Sequence, residues 1–588
     1  VVVALGLLER YLELTAKGDA LAENEMALPE VRIAVLGDHA TQRLCNCLRG
    51  GLQEKGFFPR IYEGAYDSVA LEVRGEELAQ FAPQFAYLAI SVQKAREDFF
   101  ALPAEGRLEF PRKFMDTVGE QVGCLQRLGC SVLINTLALP QERMFGNYSQ
   151  KTPASFLAAV LEVNSQIVQL AQKQGVLLVD VMYTSAVVGS NSFFDERYWI
   201  LSRSMCRTEY IPLVTDSVLA VLGAALGRIT KCIVLDLDNT LWGGVVGDDG
   251  VDGVCLGATG PGEVFFRFQQ YILAMRGRGY LLAVCSKNED AAARAPFREH
   301  PDMVLKEDDV SVFLANWEPK AENVREIASA LNLGLESLVV LDDSPFEREQ
   351  IRGELPQVVI PELPEDVSEW IGFLEFQGLF EAVSVTSTDA DRSRLYAQEA
   401  LRKSESAKFE SLDDYLRSLG MELTIKGIVS QDLDRYCQLL VRTNQFNLRT
   451  QRLQPAACRE FLSLPNQFSL LGIWLTDRFG DYGMVGAMCV EWYEDSAFLL
   501  EFVLSCRVFK RGVEYAALTS VSELAQAKGV KTIRAEYLPS PKNQLVSELY
   551  ASAGYQLAVQ DSSGRRQYTL DVQNRQSNAF PGEVYFDP

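Results

Sequence analysis

Short, almost unbroken apolar runs alternate with stretches of helical periodicity over more than half of this chain, and that alternation restricts the fold more than any other feature. VRIAVLG, FAYLAISV, SVLINTLAL and VLLVDV recur between residues 30 and 225, with helix-like stretches around 41–55, 114–128 and 153–174. A strand apolar on both faces must be covered on both faces, which is the pattern of a parallel sheet wrapped by helices. A second such block starts at Lys231, with strands CIVLDLD, YLLAVCS, MVL, SLVVLDD and QVVIP and helices over 262–278, 288–299, 318–332, 345–354 and 363–377. A polar, helix-prone stretch follows. Beyond it LLGIWLTD, MVGAMCVEWY and AFLLEFVLS alternate as antiparallel strands do. The spacing predicts an α/β chain of three domains, over 1–228, 229–380 and 410–588, with a linker over 381–409.

Charge and composition exclude several classes. The 588 residues carry a formal charge of −23, which disfavours nucleic acid and anionic membrane as partners. No apolar run approaches the roughly 20 residues a membrane span needs. VVVALGLLERYLEL reads as an amphipathic helix; it lacks the basic start of a signal peptide. The 12 cysteines are scattered, none in a CxxC pair and none beside a histidine. That predicts buried thiols, no structural zinc and a reducing, cytoplasmic setting.

The chemistry concentrates in the second block. CIVLDLDNTLW ends a buried strand in Asp236 and Asp238. The carboxyl end of a parallel strand is where such folds bind ligands. Two carboxylates this close repel unless a cation lies between them, and a hard divalent cation, Mg²⁺, suits all-oxygen ligands. Ser286 then ends YLLAVCS, followed by Lys287 and Asn288. Lys320 opens a helix after NWEP, and Asp342 and Asp343 end SLVVLDD.

DxDxT, serine, lysine and a paired acid, in that order, resemble the haloacid-dehalogenase (HAD)-type phosphotransferases. The resemblance implies that Asp236 is the nucleophile and Asp238 the acid–base group. Ser286, Lys320 and Asn288 would hold the phosphate. Mg²⁺ would sit on Asp236, the Asp238 backbone carbonyl and Asp343, with Asp342 orienting them. The intervals 238–286 and 286–320 leave room only for a minimal cap. Such a site suits a bulky or tethered substrate, with Trp242 and its neighbouring glycines as a mobile wall.

Longer strings extend the match. DLDNTLWGGVVGDDG, AVCSKN, NWEPKAENV, VVLDDSPFERE, RTNQFNLRTQR, DRFGDYGMVG, LSCRVFKRGVE, EYLPSPKN and, earlier, VLGDHATQRL resemble the FkbH-like proteins of polyketide assembly over nearly the whole chain. That resemblance implies transfer of a D-glyceryl unit from 1,3-bisphosphoglycerate, with dephosphorylation, to the phosphopantetheine thiol of an acyl carrier protein. A thioester relay needs a cysteine, and Cys285, beside Ser286, is the candidate.

The outer blocks are similar to other folds. Val35–Asp38 resembles the first block of SGNH-type esterases, but His39 stands where their serine would be and no later histidine supplies a base, so a degenerate, structural or docking domain is expected. Arg507–Glu514, between strand and helix, resembles the pyrophosphate loop of GNAT-type acetyltransferases, with Glu514 opposing an anion. Arg507, Lys510, Arg511 and Lys542 are a candidate patch for an acidic carrier protein. The alternatives are a plain uncapped Mg²⁺-dependent phosphatase acting on another phosphate ester, or a non-catalytic docking scaffold.

Overall fold

The computed structural model describes residues 2–20, 28–383, 402, 409, 411–443, 445–449, 453, 455–540, 542–574 and 580–588. Of the expected linker over 381–409, residues 384–401 and 403–408 lie outside the described residues. The chain divides into two compact units, Val1–Ala225 and Leu226–Pro588. Among the described residues, no helix is long and apolar enough to cross a membrane.

Unit 1 is built on five parallel strands: β1 (Glu30–Gly37), β2 (Phe58–Glu63), β3 (Phe85–Ala89), β4 (Ser131–Asn135) and β5 (Leu177–Val179), in the order β2-β1-β3-β4-β5. Every residue of β3 and β4 is buried, which is why their sequences show no polar alternation. The crossover helix Phe156–Gln174 has clear ends. Ser155 Oγ accepts from Ala158 N at its start, and Gly175, at φ +66°, closes it in the left-handed conformation.

Unit 2 opens with four parallel strands, β6 (Cys232–Leu235), β7 (Leu281–Ser286), β8 (Val312–Ala315) and β9 (Leu338–Leu341), in the order β8-β7-β6-β9. Alternate residues feed two cores. Ile233, Leu235, Leu282 and Val284 enter one; Cys232, Val234, Ala283 and Cys285 enter the other. Two expected strands differ. MVL is coil: Met303 and Leu305 are buried, but the Val304 and Leu305 amides donate to the Gln269 side chain instead of to a ladder. The fourth strand is instead Val312–Ala315, at the sheet edge. QVVIP makes only one parallel bridge, Val359 to Val339.

The rest of unit 2 is a mixed eight-stranded sheet: β10 (Glu422–Gly427), β11 (Phe468–Asp477), β12 (Gly480–Trp492), β13 (Ser496–Leu504), β14 (Thr532–Tyr537), β15 (Gln556–Gln560), β16 (Arg566–Asp571) and β17 (Glu583–Asp587), in the order β15-β16-β14-β13-β12-β11-β10-β17. β13 and β14 run parallel and pair only over Ser496–Leu499 and Thr532–Ala535. Past that point the family-like string fills the gap. Leu504 N donates to Phe446 O (3.3 Å), Leu538 N donates to Leu448 O (2.8 Å), and Arg449 Nη1 donates to Leu500 O (2.8 Å).

Candidate phosphoryl-transfer site

Strand register assembles the site. β6 and β9 pair in parallel with Leu235 opposite Leu341, and Asp236 N donates to Leu341 O (3.0 Å). Asp236 and Asp342, each one residue past its strand, therefore lie side by side. β7 flanks β6 on the other edge and ends in Ser286. Lys320, first residue of the helix Lys320–Ala330, reaches into the same space. Its Nζ lies 2.9 Å from Asp236 Oδ1 and 2.5 Å from Asp342 Oδ2. Oxygens of Asp236, Asp342 and Asp343 all fall within 4.8 Å of one another.

The electrostatics follow from burial. Asp236, Asp342, Ser286, Asn288 and Lys320 are buried, and Asp343 is half-buried. Desolvation pushes the Asp236 carboxyl up, with Lys320 pulling against the rise and Asp342 adding to it. Desolvation and Asp342 push Asp343 up as well. Burial works against the Lys320 charge, but Asp236 and Asp342 raise its pKa overall. Three carboxyl groups share one ammonium partner, so more acid converges here than Lys320 alone can balance. The donors are hard oxygens, so the residues present fit a divalent cation such as Mg²⁺.

Asp238 stands apart from that cluster. Its Oδ1 accepts from Trp242 Nε1 and from Val246 N, both at 2.9 Å, and its Oδ2 accepts from Asn288 Nδ2 at 2.8 Å. Asn288 Nδ2 also lies 3.3 Å from Ser286 Oγ. The sharp turn between these groups is made by Asn239, at φ +55°, whose Oδ1 accepts from Gly244 N. A carboxylate held by three donors is fixed in direction, as an acid–base group requires.

Several expected residues take other places. Trp242 is not a mobile wall: it is wholly buried, edge-to-face with Phe297, and braces Asp238 through its indole N–H. Cys285 points the opposite way from its strand neighbour Ser286, as pleating demands. It lies in the core with Ala321 and Val324, and burial pushes its thiol up to about 12 against the pull of Lys320. It is no acyl acceptor in this position. The four cations of the candidate patch do not form one surface. Arg511 is buried against Tyr482 and Asp477, and Lys542 is paired with Glu336. Arg507 is half-buried, with Nε on Ser505 Oγ, and Lys510 is exposed.

Sequence reading missed Arg348. It is buried, and its Nη1 donates to the carbonyls of both Asp342 and Asp343 at 2.8 Å, clamping the loop that carries the paired acid. Nothing in the motif marks it; it comes within reach only because the helix Pro345–Glu354 turns back along the loop. In unit 1, Asp38 Oδ1 and His39 Nδ1 are 3.1 Å apart, and Asp38 Oδ2 accepts from Ser91 N. These two groups engage each other and the backbone, not a nucleophilic hydroxyl.

Residues 32–223 match the family model described as FkbH, N-terminal domain. The N-terminal part of the protein BF1531 from Bacteroides fragilis, which contains a phosphatase domain and was solved in complex with Mg, is 32% identical. The match covers 64% of this chain and 99% of that one, at a TM-score of 0.61. A putative acetyltransferase of the GNAT family from Desulfovibrio desulfuricans is 16% identical over 26% of this chain and 99% of its own, at a TM-score of 0.22. No curated protein matches the chain.

Proposed function

The chain belongs to the FkbH-like family, and on that premise we propose that unit 2 is a Mg²⁺-dependent phosphatase acting on a glyceryl donor, 1,3-bisphosphoglycerate, whose glyceryl group passes to the phosphopantetheine thiol of an acyl carrier protein. The observation that carries the reading is the convergence of Asp236, Asp342, Asp343 and Lys320 at two adjacent strand tips. The likeness to a phosphatase domain complexed with Mg supports it.

Bound Mg²⁺, held by Asp236, Asp343 and the Asp238 carbonyl, would offset the charge that builds on the phosphoryl oxygens. The protein groups do the rest. An Asp236 oxygen attacks phosphorus, and the ester P–O bond breaks. Asp238 gives its proton to the departing alkoxide, leaving a phosphoryl group on Asp236. Water then attacks phosphorus, Asp238 takes back a proton, and phosphate leaves with Asp236 restored. Ser286, Asn288 and Lys320 hold the phosphoryl oxygens through both steps. At the acyl end, the carrier thiolate attacks the carbonyl carbon of the acyl phosphate, the C–O bond to phosphate breaks, and a glyceryl thioester forms. The carrier's own thiol fills this role because Cys285 is closed into the core.

The test combines phosphate release with intact mass of a holo carrier protein incubated with the chain, Mg²⁺ and 1,3-bisphosphoglycerate. The reading predicts a carrier mass raised by one glyceryl group lacking phosphate. Phosphate release without carrier acylation would reduce the reading to an uncapped phosphatase, and neither would leave a scaffold.

A further inference from the structure

The flap that follows Trp242 lies outside the strand register that assembles the carboxylates, and two glycines dictate its path. Gly243 and Cys255 exchange both backbone hydrogen bonds, at 3.0 and 2.8 Å, and close the base of the flap. The chain then turns at Gly244, at φ +95°, a backbone conformation that residues with a side chain rarely adopt. Past the turn Val245 N donates to Asp249 Oδ2 (2.9 Å), and the Asp248 and Asp249 amides both donate to Val245 O, at 3.0 and 2.9 Å. Room for Asp249 is cleared on two sides. A Cβ at Gly244 would lie 2.6 Å from Asp249 Oδ2, and one at Gly253 would lie 2.2 Å from Asp249 O.

What the flap delivers is one hydrogen bond. Val246, next along, is buried in the same core as Leu237 and Trp242, and its N–H donates to Asp238 Oδ1 (2.9 Å). Of the three donors on Asp238, Trp242 and Asn288 are side chains fixed by burial. Val246 N is the backbone donor, and its place depends on the flap turn. The three are unevenly shared. Oδ1 takes two, from Trp242 and Val246, and Oδ2 takes one, from Asn288. A carboxyl oxygen offers about two lone-pair sites, so Oδ1 is filled and Oδ2 has room for a proton. Oδ2 is also the oxygen tied to Ser286, through Asn288 Nδ2, which lies 3.3 Å from Ser286 Oγ. Asp249 itself is exposed and is no part of the acid cluster of Asp236, Asp342 and Asp343. Its printed bond goes to the flap backbone.

We propose that Asp249 is a positioning residue for the acid of the reaction: by holding Val245 N it keeps the Val246 N–H on Asp238 Oδ1, and so confines the transferable proton to Asp238 Oδ2, the oxygen on the Ser286 side. The proposal rests on the phosphatase reading above and names the residue that aims its acid. As the ester P–O bond breaks, the proton on Oδ2 passes to the departing alkoxide, the O–H electron pair stays on Oδ2, and the phosphoryl group is left on Asp236. Without Asp249 the flap turn loses its tie, Oδ1 loses a donor, and the proton can settle on the oxygen that faces the indole. Proton transfer depends on such alignment, whereas substrate and Mg²⁺ binding do not pass through the flap.

The experiment is a double-mutant cycle on the full chain with Mg²⁺ and 1,3-bisphosphoglycerate, with ester cleavage read by mass as glycerate formed in place of 3-phosphoglycerate. Asp249→Ala should lower kcat by about 10–100-fold and leave KM and Mg²⁺ affinity unchanged. Asp249→Asn keeps an oxygen for Val245 N and should recover most of the loss. Gly244→Ala, whose added Cβ displaces the Asp249 carboxylate, should reproduce the loss with Asp249 still in place. In an Asp238→Asn background the acid is already gone, so adding Asp249→Ala should cost nothing further. Full kcat in Asp249→Ala would overturn the proposal. So would losses that multiply in the double variant, a raised KM, weakened Mg²⁺ binding, or an Asp249→Asn chain as slow as Asp249→Ala, since each points to a structural role or a route other than the acid. Failure of the unaltered chain to cleave the ester sinks the phosphatase reading itself, and that result is distinct from cleavage that ignores Asp249.

Discussion

Asp238, just past β6, and Cys285, on β7, show how two residues near strand ends reach different chemistry. Asp238 is directed by three donors, from Trp242, Val246 and Asn288. Asp238→Asn keeps its shape but carries no transferable proton, so phosphate release should fall by roughly 10²–10⁴-fold with Mg²⁺ binding retained. Steady-state release and a Mg²⁺ titration check both halves. Cys285 is the converse case. With its thiol buried and pushed up to about 12, it should resist iodoacetamide at pH 8 in the folded chain, and Cys285→Ala should keep phosphate release. Peptide mass spectrometry after alkylation reads the first, and modification of Cys285 in native protein would contradict the geometry. From sequence, position at a strand end made this thiol look available. Only the pleat, which sends Ser286 one way and Cys285 the other, decides the matter.

At the scale of elements, the site is the product of register. Parallel pairing of Leu235 with Leu341 makes neighbours of Asp236 and Asp342, and the apolar runs preceding both acids made those strands readable in advance. The fourth strand was less readable. MVL is apolar enough for a strand, yet Gln269 supplies its hydrogen bonds, and a long-range side chain of that kind leaves no periodic trace. Arg348 is invisible for the same reason: its partners at the site are backbone carbonyls, which every residue has, while its other donors go to Glu362. Because it clamps both carbonyls of the paired acid, Arg348→Gln should weaken Mg²⁺ binding by about 10–100-fold. Isothermal titration with Mg²⁺ measures that directly, and an unchanged affinity would show the loop holds its shape unaided.

For the whole molecule, apolar patterning foretold parallel sheets in the first two blocks and a largely antiparallel one in the third, and sheet orders agree with that patterning. What the third block does with its family-like string was not legible. Phe446, Leu448 and Arg449 bond into the opening between β13 and β14, and Pro581 lies where a side chain at Gly512 would sit, 3.3 Å from its Cβ position. An acyl-CoA arm entering between parting parallel strands would have to displace the chain's own backbone hydrogen bonds. Millimolar acetyl-CoA should therefore leave the melting temperature unchanged, as ligand linkage requires of a molecule that does not bind; an upward shift would show that the opening is accessible.

The central claim is that Asp236 becomes phosphorylated during turnover. Reduction with borohydride converts an aspartyl phosphate to homoserine, which peptide sequencing locates by position. Quenching the chain with borohydride during turnover of 1,3-bisphosphoglycerate should place homoserine at position 236 when Mg²⁺ is present and nowhere when it is chelated. Steady phosphate release with no reduced residue at 236, or with the reduced residue at another acid, would contradict the account.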